Sequence, residues 1–276
     1  MSNVDATPVS ELDTYLFDLQ GYLLLRHALT PTEVAELNAA LDPMTSLKAG
    51  ERYGQVYAHT YGTNDGLNLT QIYEAGEPFE KLIDHPAWIE HMKLFIGGEG
   101  TFDHHHGPLF IDECFAHLRG PGEAIGLHSG GYPPIHRNQF RYHGGRFMCG
   151  QVNVLVALTP IGPGDGGTMV IPGSHKSNFR HPQMAEHGMR PGTSVDGVIN
   201  AIDIQMDAGD ALVFVDSITH GSARRTNPGT RRVIIFRYGP SWGNFRLPFR
   251  PSKELLDRLT PFRRKIVQPM DPIVDR

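Results

Sequence analysis

After residue 97 the sequence consists of short apolar runs separated by glycine and proline, and this pattern constrains the fold more than any other feature. The runs cover residues 109–118, 150–158, 168–171, 211–215 and 232–238. Short strands at regular spacing, with turn residues between them, are typical of a β-barrel or a β-sandwich. The 31 glycines and 21 prolines are consistent with the many turns that such a fold needs.

The first hundred residues show helical patterns around a single short strand. Residues 10–19 have apolar positions at helical spacing, Gly21 ends this helix, and 22–26 read as a buried strand. Thr30, Pro31 and Glu33 together predict a second helix with a capping box. The pattern further predicts loops with short strands over 50–68, a helix over 84–95, and a C-terminal stretch, 246–276, that wraps the surface.

Length and composition indicate one soluble domain over residues 1–276, with helical support in about 1–97, a β core in about 98–242 and an extension in 243–276. Hydrophobic residues make up 39% and charged residues 20%. The net charge of −5 argues against binding to a nucleic-acid polymer or a membrane. No leader, apolar run of membrane-spanning length or disulfide framework is evident. We therefore expect a cytoplasmic protein, with no indication of its oligomeric state.

Fifteen histidines offer many candidate metal ligands. His104, His105 and His106 cannot all reach one ion from a strand, because adjacent side chains point to opposite faces. His136 and His143 fit substrate contacts or surface positions better than metal ligands. His128 and His220 differ because each lies in a Gly- and Ser-containing motif of the β-rich region.

Five motifs occur in a fixed order. They are Gly-Tyr-Leu-Leu-Leu-Arg at 21–26, Pro-Gly-Ser-His-Lys at 172–176, Ala-Gly-Asp at 208–210, His-Gly-Ser at 220–222, and Arg231. Through them the chain resembles the phytanoyl-CoA dioxygenase family of iron(II)/2-oxoglutarate oxygenases over about residues 10–242. The resemblance implies a mainly β (α+β) fold with a double-stranded β-helix (jelly-roll or cupin-like) core and flanking N-terminal helices.

The resemblance also implies an enzyme that uses Fe(II), 2-oxoglutarate and O2. His128 and His220 match the two metal-binding histidines of the family, a ligand type suited to iron that activates dioxygen. Arg231 matches the arginine that binds the distal carboxylate of 2-oxoglutarate, which needs the fork of a guanidinium. Ser222 fits a hydroxyl that assists this arginine, and Asn153 is a further candidate for cofactor binding.

The chain departs from the family where the usual His-x-Asp is His128-Ser129-Gly130. In one interpretation chloride takes the place of the missing carboxylate, and His128, Gly130 and His220 form the catalytic set. This interpretation is implied by a resemblance to the iron/2-oxoglutarate halogenases, which have alanine or glycine at this position. In a second, Asp216 or Asp165 supplies the carboxylate and the enzyme is a hydroxylase. In a third, the barrel only binds a ligand. A zinc hydrolase would need a third ligand and a general base that the sequence does not reveal.

A basic and aromatic segment follows the first metal histidine, and we expect it at the mouth of the barrel. Arginine forks and aromatic rings suit a phosphate or carboxylate on a planar group, which predicts a small anionic metabolite, with a nucleotide or nucleoside phosphate as the leading guess. An acyl-CoA or a carrier-bound substrate is an alternative. The predicted contacts are Arg137, Phe140, Arg141, Tyr142, Arg146, Lys176, Arg180 and His181, with Tyr132 as a further ring for stacking.

Overall fold

The computed structural model describes residues 7–62, 65–97, 107–131, 135–241 and 250–269. The first part of the chain contains α1 (Glu11–Gln20), β1 (Tyr22–Leu25), α2 (Pro31–Leu41), β2 (Arg52–Tyr53), β3 (Val56–His59), β4 (Leu67–Thr70), α3 (Glu77–Glu80) and α4 (Ile89–Ile96). The second part contains β5 (Leu109–Arg119), β6 (Tyr142–His143), β7 (Arg146–Phe147), β8 (Val152–Ala157), β9 (Thr168–Val170), α5 (Met184–His187), β10 (Ile202–Asp203), β11 (Ala211–Val215), β12 (His220–Ser222), β13 (Arg231–Pro240), α6 (Lys253–Arg258) and α7 (Pro261–Val267).

Two antiparallel sheets form the β core. The large sheet has the strand order β1-β11-β8-β13-β5-β4-β3-β2, and the small sheet has the order β10-β9-β12. An isolated bridge between His128 and His220 continues the small sheet beyond β12. The fold is mainly β, as predicted, although β1 to β4 show that the N-terminal part also contributes strands to the large sheet.

The apolar core lies on the large sheet and under the N-terminal helices. Trp88, Phe17, Phe79 and Phe95 are completely buried there, and the rings of Phe17 and Phe95 stack with centroids 3.7 Å apart. The helices therefore cover one face of the sheet. The opposite face, toward the small sheet, carries polar side chains and borders the cavity described below.

The helix cap predicted at Thr30 is confirmed, and α1 has an equivalent cap at Ser10. Ser10 and Thr30 each accept a hydrogen bond from the backbone N–H three residues later, and both capping boxes are complete. Gly21 ends α1 in the left-handed conformation, with φ 84°. A Cβ at Gly21 would lie 2.5 Å from Nδ1 of His175, so glycine here allows the Pro-Gly-Ser-His-Lys loop to pack against the end of α1.

Two predictions about the fold are wrong. The helix expected over 84–95 begins only at Ile89, because Pro86 favours an extended conformation at His85, whose φ and ψ are −58° and 133°. The extension does not merely wrap the surface: its described part forms α6 and α7, and Leu255 and Ile266 are completely buried. None of the described helices is long and apolar enough to cross a membrane.

Candidate metal centre and its cavity

His128 and His220 face each other across the end of the small sheet. Each backbone N–H donates to the carbonyl of the other residue, at 2.8 and 3.1 Å. Directly opposed residues in an antiparallel pair project to the same side, and the two imidazole centroids are 4.1 Å apart. The structure thus brings together the two predicted metal ligands, although they are ninety-two residues apart in the chain.

Backbone hydrogen bonds orient both imidazoles. Nδ1 of His128 lies 2.9 Å from the carbonyl oxygen of Gly126, and Nδ1 of His220 lies 2.7 Å from that of Ile218. A carbonyl can only accept, so each Nδ1 carries the proton and each Nε2 presents a lone pair suited to a metal. Burial, with a further contribution from His220, lowers the pKa of His128 to about 3. His128 is therefore neutral, as a metal ligand must be, over the physiological pH range.

Gly130 follows in a backbone conformation that disfavours a side chain. Its φ is 105°, and Ser129 before it has φ 62°. Among the residues that the structure describes, no group of three His, Cys, Asp or Glu side chains has the spacing to hold a metal ion. Glycine at 130 itself brings no side chain to a metal.

The two histidines border a cavity of about 220 Å³ between the large and small sheets. We call it the inner chamber. Strands β5, β8, β11 and β13 of the large sheet form one wall, and β9 and β12 of the small sheet form the other. The described side chains that line it include Phe115, His117, Arg119, Leu155, Thr168, Phe214, Asp216, Ser222, Arg231 and Arg237.

Two buried arginines lie side by side in the inner chamber. Arg231 and Arg119 are directly paired residues of β13 and β5, and both donate to the carbonyl of Gly166. Nη2 of Arg231 also lies 3.4 Å from Nδ1 of His117. Neither guanidinium has a salt bridge to a described carboxylate, and Nε of each is buried without a hydrogen bond. Burial and the neighbouring arginines lower the pKa of Arg231. This pair therefore favours a bound anion.

The other predicted cofactor residues lie close to this region. Oγ of Ser222 faces the inner chamber and accepts a hydrogen bond from the N–H of Ile125 at 2.9 Å. Asn153 is buried, and its side chain donates to Oδ1 of Asp216 at 3.2 Å. Oδ2 of Asp216 accepts from Nε of Arg137 at 3.1 Å. Asn153 thus contacts a carboxylate that borders the chamber.

Of the two alternative carboxylates, only Asp216 lines the inner chamber. Asp165 lies in the turn before β9, where it accepts from the N–H of Gly162 and pairs with Nη1 of Arg225 at 3.1 Å. These contacts lower the pKa of Asp165 despite partial burial. The structure therefore gives Asp165 a structural role and removes it as a candidate for the metal.

The predicted substrate residues separate into two groups. Arg137 lines the inner chamber, and Arg137 and Arg180 line the space next to it. The other six lie elsewhere: Phe140 packs on Phe17 and His175, Arg141 and Arg146 line a different pocket, Tyr142 packs on Phe147, Lys176 pairs with Asp18, and His181 bonds the N–H of Gln183.

The direction of one hairpin explains most of this separation. β6 and β7 are joined by Gly144 and Gly145, both with positive φ, and Phe147 of β7 packs on Phe95 of α4. The hairpin therefore carries its basic side chains toward the helical side of the molecule. Tyr132 and His104 to His106 lie outside the described residues.

Sequence reasoning missed the polar residues on the strands themselves. His117 and Arg119 of β5, and Arg237 of β13, face the inner chamber. Nη1 of Arg237 lies 3.1 Å from Oε2 of Glu113. In β5 the polar residues at 113, 117 and 119 recur at the period of two that places side chains on one face of a strand. This alternation of polar residues within an otherwise apolar strand is the sequence pattern that could have predicted them.

The double-stranded β-helix with its paired histidines and buried arginines defines an enzyme class, the oxygenases that use iron(II) and 2-oxoglutarate. The chain belongs to the phytanoyl-CoA dioxygenase family (PhyH), whose model matches residues 17–233. It is 30% identical over 281 residues to dioxygenase cdmD of Talaromyces verruculosus, covering 95% of this chain and 84% of that one. It is 33% identical to iron/alpha-ketoglutarate-dependent dioxygenase penM of Penicillium thymicola, covering 42% of this chain and 34% of that one.

Solved structures support the fold. HygX from Streptomyces hygroscopicus, crystallised with nickel, 2-oxoglutarate and hygromycin B, superimposes with a TM-score of 0.70 at 22% identity, covering 90% of this chain and 94% of that one. The same protein has also been crystallised with iron. The predicted fold class and the assignment as an oxygenase enzyme are confirmed.

The residues present fit the cofactors of this class. His128 and His220 would hold iron(II) through Nε2, since each Nδ1 is already bonded to the backbone. Arg231 and Arg119 would bind a carboxylate of 2-oxoglutarate, which would supply the ion-pair partner that neither guanidinium has among the described residues. The chemistry of the donors therefore agrees with the family membership.

Proposed function

We propose that the protein is an iron(II)- and 2-oxoglutarate-dependent halogenase that chlorinates an unactivated C–H bond of a small anionic metabolite, with a nucleotide or nucleoside phosphate as the leading candidate. One observation carries the proposal: the histidine pair is retained while the residue two after His128 is glycine. Glycine at 130 brings no carboxylate to the metal, and a chloride ion would then serve as the anion that this carboxylate otherwise provides.

The backbone at Gly130 supports this proposal. A φ of 105° lies in a region that residues with a Cβ rarely adopt. The side-chain amide of Asn138 lies 3.4 Å from the carbonyl of Gly130, so this conformation has contacts of its own. Glycine at 130 therefore fits this backbone, which a residue with a Cβ would strain.

The chain's own residues have separate roles in the proposed reaction. His128 and His220 hold the metal, Arg231 and Arg119 orient the cosubstrate, and Ser222 lies beside them. When bound, iron(II) with 2-oxoglutarate and O2 supplies the means to remove a hydrogen atom from an unactivated carbon, and a halide on the metal supplies the atom that replaces it. Phe115, Leu155 and Phe214 contribute apolar side chains to the lining of the inner chamber, and these would limit the access of water to a bound substrate.

Hydroxylation is the second candidate function, and Asp216 is the observation that favours it. Its carboxylate is buried and borders the same chamber as both histidines, and the relatives named above are dioxygenases. Oδ1 and Oδ2 of Asp216 accept hydrogen bonds from Asn153 and Arg137. Each carboxylate oxygen has a second lone pair, so these contacts orient Asp216 without preventing it from binding a metal. Against this candidate, no group of three His, Cys, Asp or Glu side chains among the described residues has the spacing to hold a metal ion.

The test is turnover with purified protein, iron(II), 2-oxoglutarate and O2 over a panel of nucleoside phosphates and other small anions. We expect succinate formation that depends on one substrate, and a product whose mass shows the chlorine isotope pattern only when chloride is present. A hydroxylated product at saturating chloride would reject the halogenase in favour of the second candidate. Failure of any substrate to stimulate succinate formation would contradict the proposed substrate class.

A further inference from the structure

A second cavity, of about 460 Å³, opens beside the metal centre. We call it the outer chamber. It shares His128, Ser129, Arg137 and Met189 with the inner chamber, and its other lining residues lie mainly in the segments around Asn138 and Met184. The shared residues place the two cavities on either side of one boundary. A molecule that occupies the outer chamber can therefore reach toward His128.

The charge of the outer chamber has one sign. Arg137, Arg180 and Arg190 line it, and none of its lining residues in the described chain is Asp or Glu. The inner chamber differs, because Asp216 lies on its wall. An anion entering from outside therefore meets cations alone until it reaches the boundary formed by Arg137.

Arg137 is held in place at this boundary. Its Nε donates to Oδ2 of Asp216 at 3.1 Å. Asp216 is itself fixed by Asn153 and by its own backbone N–H, which donates to the carbonyl of Gln151 at 2.9 Å. Nη1 and Nη2 of Arg137 have no hydrogen-bond partner in the described chain. The guanidinium is thus held in one orientation, and its Nη1 and Nη2 remain available to an anion. Because the side chain is already ordered, a bidentate contact with an anion would cost little conformational entropy.

Arg180 provides a second available guanidinium. It is exposed, and no described residue forms a hydrogen bond or an ion pair with it. Arg190 is different, because its Nη2 donates to the carbonyls of Ala185 and Glu186, each at 2.8 Å. Two arginines that line the same cavity are therefore available to a ligand, while Nη2 of the third is bonded to the backbone of the cavity wall.

We propose that the outer chamber binds the oxyanion of the substrate, a phosphate or a carboxylate, through Arg137 and Arg180. The proposal rests on the proposed function in that the chamber serves the same metal centre. It assigns the anionic group to the side of Arg137 away from Asp216, where no carboxylate repels it. The rest of the substrate then extends past His128 into the inner chamber, which places a carbon far from the anion at the reacting position.

The experiment measures binding of inorganic phosphate to metal-free protein by titration calorimetry, with saturating 2-oxoglutarate present to block Arg231 and Arg119. Arg137→Gln and Arg180→Ala should each weaken phosphate binding by about tenfold or more, since each removes charge-assisted hydrogen bonds. Arg137→Lys should recover only part of the affinity, because it keeps the charge but loses the fork. Arg146→Ala removes an exposed arginine outside both chambers and should change the affinity less than twofold.

The same titration with acetate separates the two oxyanions. Tighter binding of phosphate assigns the chamber to a phosphate-bearing substrate, and tighter binding of acetate assigns it to a carboxylate. No binding of either anion, or equal binding by the wild-type, Arg137→Gln and Arg180→Ala proteins, overturns the inference. Because the measurement needs neither iron nor turnover, its failure is distinct from failure of the halogenase proposal, which appears only as absence of a chlorinated product.

Discussion

Replacement of Gly130 by aspartate tests directly whether the third metal position is open. The φ of 105° makes any side chain there cost about 1–3 kcal/mol. For a chain of 276 residues the unfolding entropy is about 0.6 kcal/mol per kelvin, so the melting temperature of the metal-free protein should fall by about 2–5 °C. Gly130→Ala is the matched control, since it carries the same backbone cost without a carboxylate.

The two variants should differ in metal binding. If the aspartate of Gly130→Asp coordinates the metal directly, it should raise the affinity for Ni(II), measured by calorimetry in chloride-free buffer. The increase should be at least about 10- to 100-fold, which is the contribution of residues that only support the ligands in metal sites. It should also replace chloride, so that the Gly130→Asp enzyme gives no chlorinated product. Equal Ni(II) affinity of the alanine and aspartate variants, or chlorination by the aspartate variant at the wild-type rate, would refute the reasoning.

Three further predictions follow from the buried polar groups. Arg231→Lys keeps the charge but loses the fork, and should raise the KM for 2-oxoglutarate about tenfold or more. Burial raises the pKa of the Cys114 and Cys149 thiols, so a maleimide at pH 8 should label neither in the native protein and both after denaturation. Burial lowers the pKa of His175 from 6.5 to about 4. Below about pH 6.5 the unfolded chain therefore binds a proton at His175 that the folded chain does not bind. The free energy of unfolding should be highest above about pH 6.5 and should fall toward pH 4. His175→Gln should reduce this pH dependence in free energies of unfolding measured with urea.

Local signals made much of the fold predictable. The capping boxes at Ser10 and Thr30 and the glycine at 21 define helix ends within a few residues, and the apolar runs mark the strands. Prediction failed where one residue outweighed the periodic pattern, as at Pro86. It failed again at the C-terminus, where abundant arginine and proline concealed the apolar face of α6 and α7.

The proximity of the histidine pair and Arg231 could be predicted from the sequence for a reason that does not apply to the proposed substrate contacts. His128, His220 and Arg231 belong to motifs whose order along the chain defines the fold, so a resemblance to the family locates them together. The arginines of 137–146 have no such constraint. Arg137 lies in a 3-10 turn that points inward, while Arg141 and Arg146 lie on the hairpin that turns away. Proximity in sequence does not determine the direction in which a loop leaves the barrel.

The proposed reaction would gather three anions at one site: a halide, 2-oxoglutarate and the substrate's oxyanion. Repulsion among them would be severe in a buried cavity unless each had its own cation. The described residues provide such a division, with Arg119 and Arg231 deep in the inner chamber, Arg137 and Arg180 in the outer chamber, and the histidine pair between them. Asp216 lines the inner chamber and holds Arg137 at the boundary between the two chambers, so its negative charge opposes entry of the substrate's oxyanion into the inner chamber. An anionic substrate is thereby directed away from the cosubstrate arginines, and the missing carboxylate at 130 removes the charge that would otherwise oppose a halide.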